Sequence, residues 1–560
     1  MIALSAERRR RLTHRAVPAL GALALISGAA GMVVGAGTSS AAERTAQSFT
    51  QAWERQDYRA MYALLDDASR RAYSASEFRR AYRDTAATAT VRRVDAGEPG
   101  GEHGDTVTVP IVLHTRVFGR VRDELNLPVN GERVTWGPLL AFPGLRPGER
   151  LSRRSVPARR ATLLSRDGKV LARGQVDNRT SPLEAIVGSI AGTLAPEETD
   201  EERRALYAQG FPRDWPVGQN GLEEAFESRL AGRPGGELLT GRRVLARAPA
   251  RRSEPVRTTI DSRLQEAAVI ALAGRFGGVA ALDPRNGEIR ALAGIAFSAP
   301  QPPGSTFKIV TTAAALEAGA VKPSTEFPVA SAATIDGVEL ENANGEYCGG
   351  TFRNSFAHSC NSVFAPLGVE IGAAALVDAA ERFGWNGEPT VPGEVSSTLP
   401  PAAEIKTPLE VASTAIGQFR TLATPLQMAS VAQTIAARGV RRLPTLSLGD
   451  ATRSERVVKR RIARTIESLM LDVVAYGTGT AAALPGVKVA GKTGTAELED
   501  TRDPETGETK PSDPSNTDAW FAAYGPAGHP KIAVAVMLVR AGAGGATAAP
   551  AARVVLDAAL

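Results

Sequence analysis

After a run of arginines (Arg8 to Arg11, then Arg15), the chain carries no charge over 16–37 and is rich in Ala, Leu, Val and Gly. That is about the length a helix needs to cross a bilayer. Arginines on its N-terminal side place that end in the cytoplasm. The alternative is a cleaved signal peptide with a small-residue site at Ser40-Ala41-Ala42, although the apolar part exceeds the usual signal core. Either way the rest of the chain is expected outside, and no later segment is expected to span.

Beyond residue 41 the apolar positions take up helical spacing. Phe49, Ala52 and Trp53 share one helix face, and Tyr58, Met61, Tyr62 and Leu65 another. Ser74-x-x-Glu77 reads as a capping box that opens a third helix through Phe78 and Tyr82. The period then changes to two, which predicts strands over 106–113, 124–129 and 132–136. Asn130-Gly131 is the hairpin turn between the last two. Residues 151–255 are rich in Arg, Gly and Pro. Within them, 162–172 predicts a hairpin turning at Asp167-Gly168, and Asn220-Gly221-Leu222-Glu223 leads an amphipathic helix ending near Leu230-Ala231-Gly232.

The last 305 residues or so form the largest domain. Thr259-Ile260-Asp261 ends a strand and caps a helix through Leu272. The run 278–283, Asn286-Gly287 and 288–293 predicts a tight hairpin. Strands are expected over 487–490, 519–524 and 532–539, and a helix over 549–560. Strands at both ends of a long helical insert imply an antiparallel sheet flanked by helices.

Length and composition narrow the class. A chain of 560 residues is too long for one core and should hold about three domains. Hydrophobic content of 43% and charged content of 22% are ordinary for a folded soluble body. The net charge of +6 is mild over this length and suits anionic surfaces such as membrane headgroups or wall polymers. No aromatic-plus-basic patch of the single-strand-binding kind is present, so nucleic acid is not an expected partner. Five scattered histidines and two cysteines with no Cys-x-x-Cys pair leave no basis for a metal centre. Cys348 and Cys360 are either an extracytoplasmic disulfide or two buried thiols, and the spacing leaves both readings open.

Three short motifs carry the chemistry. Pro302-Pro303-Gly304-Ser305 stops the preceding chain and starts a helix. Lys308, three residues on, shares a face with Ser305, about 5–6 Å away at Cβ. Serine is a poor nucleophile until a base takes its proton. A lysine serves as that base when burial and nearby positive charge lower its pKa. The free N–H groups at the helix start are half of an oxyanion hole. In Ser359-Cys360-Asn361, Ser359 and Asn361 face one site while Cys360 turns inward. Ser359 is then a proton relay to the leaving amine, and Asn361 a holder of the substrate peptide. His358 is discounted as a partner of Ser359, because sequence neighbours seldom face each other and no acidic orienter is evident. In Gly491-Lys492-Thr493-Gly494-Thr495, a strand-edge lysine can bind a carboxylate and act as the charge that depresses Lys308. The hydroxyls of Thr493 and Thr495 add donors, and the Thr495 N–H completes the oxyanion hole. Gly486 to Thr493 also matches the phosphate-loop pattern. Its interior is strand-like, however, and Glu497, Glu499 and Asp500 follow instead of an apolar helix.

These motifs, in this order, resemble those of serine β-lactamases and penicillin-binding proteins. Residues 256–560 are similar to the penicillin-binding transpeptidase domain, with supporting phrases at Ile416-Gly417-Gln418, Thr424 to Met428 and Trp520-Phe521-Ala522. Gln418-Phe419-Arg420 departs from the small residues many relatives carry after Gly-Gln. Residues 41–150 resemble the cone-shaped nuclear transport factor fold, specifically the membrane-proximal domain of the methicillin-resistance type of penicillin-binding protein. No acid–base pair stands out there, so it reads as a spacer or docking module. Gly221-Leu222-Glu223 resembles the pedestal element of class B members, and the stretch before Ser40 is too short for a glycosyltransferase domain.

The resemblance implies an α+β multidomain chain. Residues 1–40 are a cytoplasmic tail and membrane anchor, 41–150 the cone-shaped domain, and 151–255 a pedestal or linker. Residues 256–560 are an antiparallel sheet flanked by helices, plus a helical subdomain. It further implies a serine-type D-Ala-D-Ala transpeptidase in a bacterial cell membrane, single-pass, with its catalytic domain outside. Ser305, Lys308, Ser359, Asn361 and Lys492 are then catalytic, Thr493, Gly494 and Thr495 bind substrate, and no metal or cofactor is required. Ser305 attacks the penultimate D-alanine carbonyl of a peptidoglycan stem, D-alanine leaves, and a neighbouring stem's amine takes the acyl group. β-Lactams acylate the same serine. Other expected partners are the lipid bilayer and further wall-synthesis proteins. The motifs also serve a D,D-carboxypeptidase, a β-lactamase-type hydrolase or a penicillin-binding sensor that does not turn over. No deacylating base is evident for the β-lactamase.

Overall fold

The computed structural model of the chain describes residues 39–449, 452–499 and 514–560. The expected membrane anchor and Asp500 lie outside the described residues. Two units form. The first gathers residues up to Ala158 with Glu198–Trp215 and Arg233–Arg251. The second gathers Arg159–Glu197, Pro216–Gly232 and Arg252–Leu560.

In the first unit, helix α1 (Ala41–Glu54) starts at a capping box between Ser40 and Glu43. Helix α2 (Ala75–Ala89) starts at the expected box between Ser74 and Glu77. Five strands follow: β1 (Val91–Ala96), β2 (Glu102–His103), β3 (Thr106–Thr115), β4 (Arg120–Asn130) and β5 (Arg133–Val134). They form an antiparallel sheet in the order β1-β3-β4-β5, with β2 on β3. Period-two burial runs through it. Val107, Val109, Ile111 and Leu113 of β3, with Leu125, Leu127 and Val129 of β4, are buried. They meet Phe49, Ala52 and Trp53 of α1 and Phe78 and Tyr82 of α2. Two expectations need adjustment. The strand over 132–136 shrinks to Arg133–Val134, and β1 was not anticipated, because Val-Arg-Arg-Val-Asp-Ala is an edge strand with little apolar signal. Strands β6 (Leu151–Val156), β7 (Gly235–Thr240) and β8 (Arg243–Ala248) add a second sheet, and α3 (Asp200–Ala208) packs beside α2.

The second unit is built on an antiparallel sheet of β9 (Gly277–Leu282), β10 (Ile289–Gly294), β12 (Ala490–Glu497), β13 (Thr517–Gly525) and β14 (Ile532–Leu538). The order is β10-β9-β14-β13-β12, which leaves β12 at an edge. Its faces alternate cleanly. Val279, Ala281, Val534 and Val536 meet the helices α4 (Ser262–Leu272) and α9 (Ala548–Ala559). Ala280, Leu282, Ala535 and Met537 face the larger core with α5 (Lys308–Ala318), α6 (Asn361–Phe383), the wholly buried α7 (Pro425–Ala436) and α8 (Arg460–Ala475). A short strand, β11 (Cys348–Thr351), pairs with Glu326–Ala330.

By length and composition α6 is apolar enough to cross a membrane, a case the sequence did not flag. Half of that stretch is buried in this core. It also carries Pro366 and breaks at Gly372, so its apolar face serves packing. The helix expected after Asn220 splits at Phe226 into Gly221–Ala225 and Glu227–Leu230. Glu223 there is buried and accepts from Arg160 at 2.6 Å and Arg179 at 2.7 Å, so the Gly-Leu-Glu phrase forms a charge clamp inside this unit.

Candidate active site

Ser305 lies in the tight turn Gly304–Phe307, which runs straight into α5. Gly304 has φ +51°, and a Cβ there would come within 2.6 Å of the Thr495 carbonyl oxygen. Only glycine lets this turn seat against β12. The Gly304 N–H donates to the Gly417 carbonyl at 3.0 Å, which accounts for the Ile416-Gly417-Gln418 phrase. Ser305 is partly exposed, and among the described residues its hydroxyl makes no hydrogen bond.

Lys308 opens α5 one turn later and is fully buried. Its amine donates to the Ser359 carbonyl at 2.7 Å and to Asn361 Oδ1 at 2.6 Å, and lies 3.4 Å from Ser359 Oγ. The sequence placed Lys308 beside Ser305 with Lys492 as its charged neighbour, and the structure in addition turns its donors toward the second motif.

Strand β12 starts later than expected, at Ala490, and runs through the third motif to Glu497. The ladder to β13 pairs Lys492 with Ala522 and Thr493 with Phe521. Period two sends Ala490, Lys492, Gly494 and Ala496 to the α5–α6 side. The Lys492 amine, fully buried, donates to Ser359 Oγ at 2.7 Å and to the Thr493 carbonyl at 3.0 Å. Gly494 earns its place by close approach: a Cβ would lie 2.8 Å from the Pro303 carbonyl and 3.0 Å from Thr306 Cγ2. Its role in this geometry is to admit the Ser305 turn. The Thr495 hydroxyl accepts from the Gly544 N–H at 3.2 Å.

Two buried amines thus converge on one hydroxyl, that of Ser359. Its φ of +62° is a left-handed conformation that costs energy for a residue with a Cβ. Several contacts hold it. Cys348 and Cys360 are joined in a disulfide, with their Cα atoms 5.5 Å apart, so the open question of the two thiols closes on the bonded reading. The Cys360 N–H donates to the Ser355 carbonyl, and Asn361 Nδ2 to the Glu341 carbonyl at 2.7 Å. Cys360 does turn inward while its neighbours face the amines. His358 makes no Ser–His pair; its ring lies 6.1 Å from that of Tyr476.

Burial, reinforced by the charge of Lys492, holds the Lys308 amine well below the usual lysine range. Burial alone lowers Lys492 to about 7. A neutral Lys308 has two N–H donors, both used by Ser359 O and Asn361 Oδ1, and keeps one lone pair free to take a proton. The aromatic faces of Phe364, 5.2 Å from the Lys308 amine, and Phe356, 5.9 Å from that of Lys492, line the site.

One residue escaped the sequence reading. The Thr478 hydroxyl lies 2.6 Å from that of Thr493, and the Thr478 N–H donates to the Ala357 carbonyl. The only signal was the Gly-Thr-Gly-Thr run after an amphipathic helix. Among the described residues no cluster of His, Cys, Asp and Glu can hold a metal.

A serine at a helix start, a lysine with a depressed pKa, a second serine between two amines, and a lysine–threonine strand edge define a serine acyl-transfer site. The profile of the penicillin binding protein transpeptidase domain matches residues 277–557, and that of the NTF2-like N-terminal transpeptidase domain matches residues 41–149. The chain belongs to the penicillin-binding protein transpeptidase family. It is 33% identical over 408 residues to the peptidoglycan D,D-transpeptidase PbpA of Mycolicibacterium smegmatis, covering 61% of this chain and 79% of the relative. It is 35% identical over 403 residues to PbpA of Mycobacterium tuberculosis, covering 60% and 77%. Among solved structures it is similar to the penicillin G acyl-enzyme complex of penicillin-binding protein A from M. tuberculosis (TM-score 0.56, 27% identity, 72% of this chain and 99% of that one). It is also similar to the D,D-transpeptidase domain of a peptidoglycan glycosyltransferase from Eggerthella lenta (TM-score 0.57, 28% identity, 72% and 99%).

Proposed function

We propose that this protein is a penicillin-binding D,D-transpeptidase that crosslinks peptidoglycan stem peptides through a serine acyl-enzyme. The observation that carries the reading is the convergence of the Lys308 and Lys492 amines on Ser359, beside the turn that presents Ser305. Neutral Lys308 takes the Ser305 proton as Oγ attacks the penultimate D-alanine carbonyl. The oxyanion meets the N–H groups of Ser305 and Thr495. Ser359 relays the proton to the leaving D-alanine amine. Asn361 holds the stem peptide, while Lys492 and the hydroxyls of Thr493 and Thr495 bind the terminal carboxylate. A neighbouring stem's amine then takes the acyl group and frees Ser305. The relatives named PbpA support this reaction class, and the penicillin G acyl-enzyme of one of them supports attack by Ser305 Oγ on the β-lactam carbonyl, which opens the ring and leaves an acyl-enzyme.

The reading includes a membrane anchor within residues 1–40 and an extracytoplasmic remainder. It assigns 41–150 to the N-terminal domain and 256–560 to the transpeptidase domain, with 151–255 between them. A disulfide beside the catalytic loop suits an oxidising compartment. The test is labelling by a fluorescent β-lactam. Wild-type protein should be labelled and folded Ser305→Ala should not; equal labelling of both overturns the assignment.

A further inference from the structure

The first unit, expected to be a spacer, holds a cavity of about 740 Å³ where α1, α2 and α3 meet. Its floor is aromatic. Trp53, Tyr58, Tyr82 and Phe142 line it, and the Tyr58 and Tyr82 rings stack at 5.8 Å. Its mouth is cationic. Arg79, Arg80 and Arg83 come from α2, Arg204 from α3, and Arg213 from the loop beyond. Only Asp84 and Glu201 offset them in the lining.

Some arginines elsewhere in this unit pair with carboxylates, as in Arg93–Asp95 at 2.9 Å, Arg243–Glu149 at 2.8 Å and Arg247–Glu237 at 2.8 Å, and others face solvent singly. None of the five mouth arginines has an ion pair among the described residues. The mouth is also held in shape. Arg153 donates to the Ala87 and Thr88 carbonyls at the end of α2, to the Tyr207 carbonyl at the end of α3 and to the Phe211 carbonyl in the loop beyond, and so ties the two walls together. Its guanidinium stacks on Tyr207 from one side, at 3.9 Å, and Arg213 lies over the same ring at 4.6 Å. The charge of Arg83 acts on the Tyr58 hydroxyl against the effect of burial, which places positive charge over the floor.

Unpaired guanidiniums around an apolar recess repel one another, and an anion removes that repulsion while its body covers the floor. Flat rings stack on Tyr and Trp faces. We propose that this cavity binds a small organic anion with a flat apolar body, such as an aromatic carboxylate or phosphate. The arginine mouth holds the charge and the Trp53–Tyr58–Tyr82 floor takes the body.

The test uses the full chain in a non-ionic detergent and titration calorimetry with 1-naphthyl phosphate. One saturable site per chain is expected, with affinity falling as salt rises. Arg80→Glu with Arg204→Glu should weaken binding about tenfold or more, the scale of one lost charge-assisted hydrogen bond. Circular dichroism and thermal unfolding of the variant should match the wild type, which shows that the first unit is folded, and penicillin labelling of Ser305, in the other unit, should be unchanged. Inorganic phosphate and neutral 1-naphthol should each bind at least about tenfold more weakly, since each keeps half of the recognition. Absence of a saturable site overturns the proposal. So does salt-independent binding, binding that survives the charge reversal, or equal binding of either half-probe. The salt series on wild-type protein decides the matter even if the double variant fails to fold.

Discussion

At the scale of single residues, the site works by keeping one of two neighbouring amines uncharged. Lys308 and Lys492 are both buried and both touch Ser359 Oγ, at 3.4 and 2.7 Å. Protonated Lys492 depresses Lys308, and Lys492 itself titrates at about 7. In the free enzyme, acylation should therefore rise with pH as Lys308 loses its proton and fall as Lys492 loses its own. Replacing Lys492 by methionine removes the positive neighbour and so favours the charged form of Lys308. Its pKa rises, and the acid limb of the acylation profile should move to higher pH. An acid limb that stays in place would separate the two amines. Lys308→Ala should slow acylation by roughly 10²–10⁴, the scale of a general base. Thr478→Val should weaken stem-peptide binding by about three- to tenfold through disorder of the Thr493 hydroxyl, seen in KM more than in kcat, with Thr478→Ser restoring it. The motif residues were legible because their types and order carry the chemistry. The left-handed backbone of Ser359 and the direction of the Lys308 donors were not, since the first is held by tertiary contacts to Cys348, Ser355 and Glu341 and the second by groups 51 or more residues away.

At the scale of elements, local signals translated well. The box at Ser74 and Glu77, the Asp167-Gly168 turn and the Asp261 cap form as spelled, while the hairpin expected at Asn130-Gly131 turns one residue later, at Gly131-Glu132, because Asn130 pairs with Arg133. Strand β12 did not, because Gly-Lys-Thr-Gly-Thr has poor strand propensity and is held by the ladder to β13 rather than by its own composition. The join between β11 and the start of α6 is covalent. Changing Cys348 and Cys360 together to alanine should cost about 2–4 kcal/mol of stability. It should also slow penicillin acylation by loosening Ser359; a normal rate at full folding would show that the hydrogen bonds to Ser355 and Glu341 suffice. Glu223→Ala leaves Arg160 and Arg179 buried without their shared carboxylate and should cost about 3–5 kcal/mol in denaturant unfolding.

At the scale of the whole molecule, the stretch 151–255 divides its segments between the two units. Hydrophobic periodicity could not reveal this, since it reports which face of an element is buried and not which distant segment buries it. The same limit hid the cavity of the first unit, whose walls join α2 to α3 across more than a hundred residues. The catalytic unit was easier, because its sheet draws strands from both ends of a region the motifs already bracket. The central claim is acyl transfer from Ser305 to an amine, and product analysis tests it most directly. Full-length protein is given a stem-peptide donor ending in D-Ala-D-Ala and an amine acceptor, and crosslinked product is measured against free D-alanine by mass spectrometry. Crosslinked product should form with the wild type and vanish with Ser305→Ala. Release of D-alanine without crosslinks for any acceptor, or crosslinks that persist in Ser305→Ala, would contradict it.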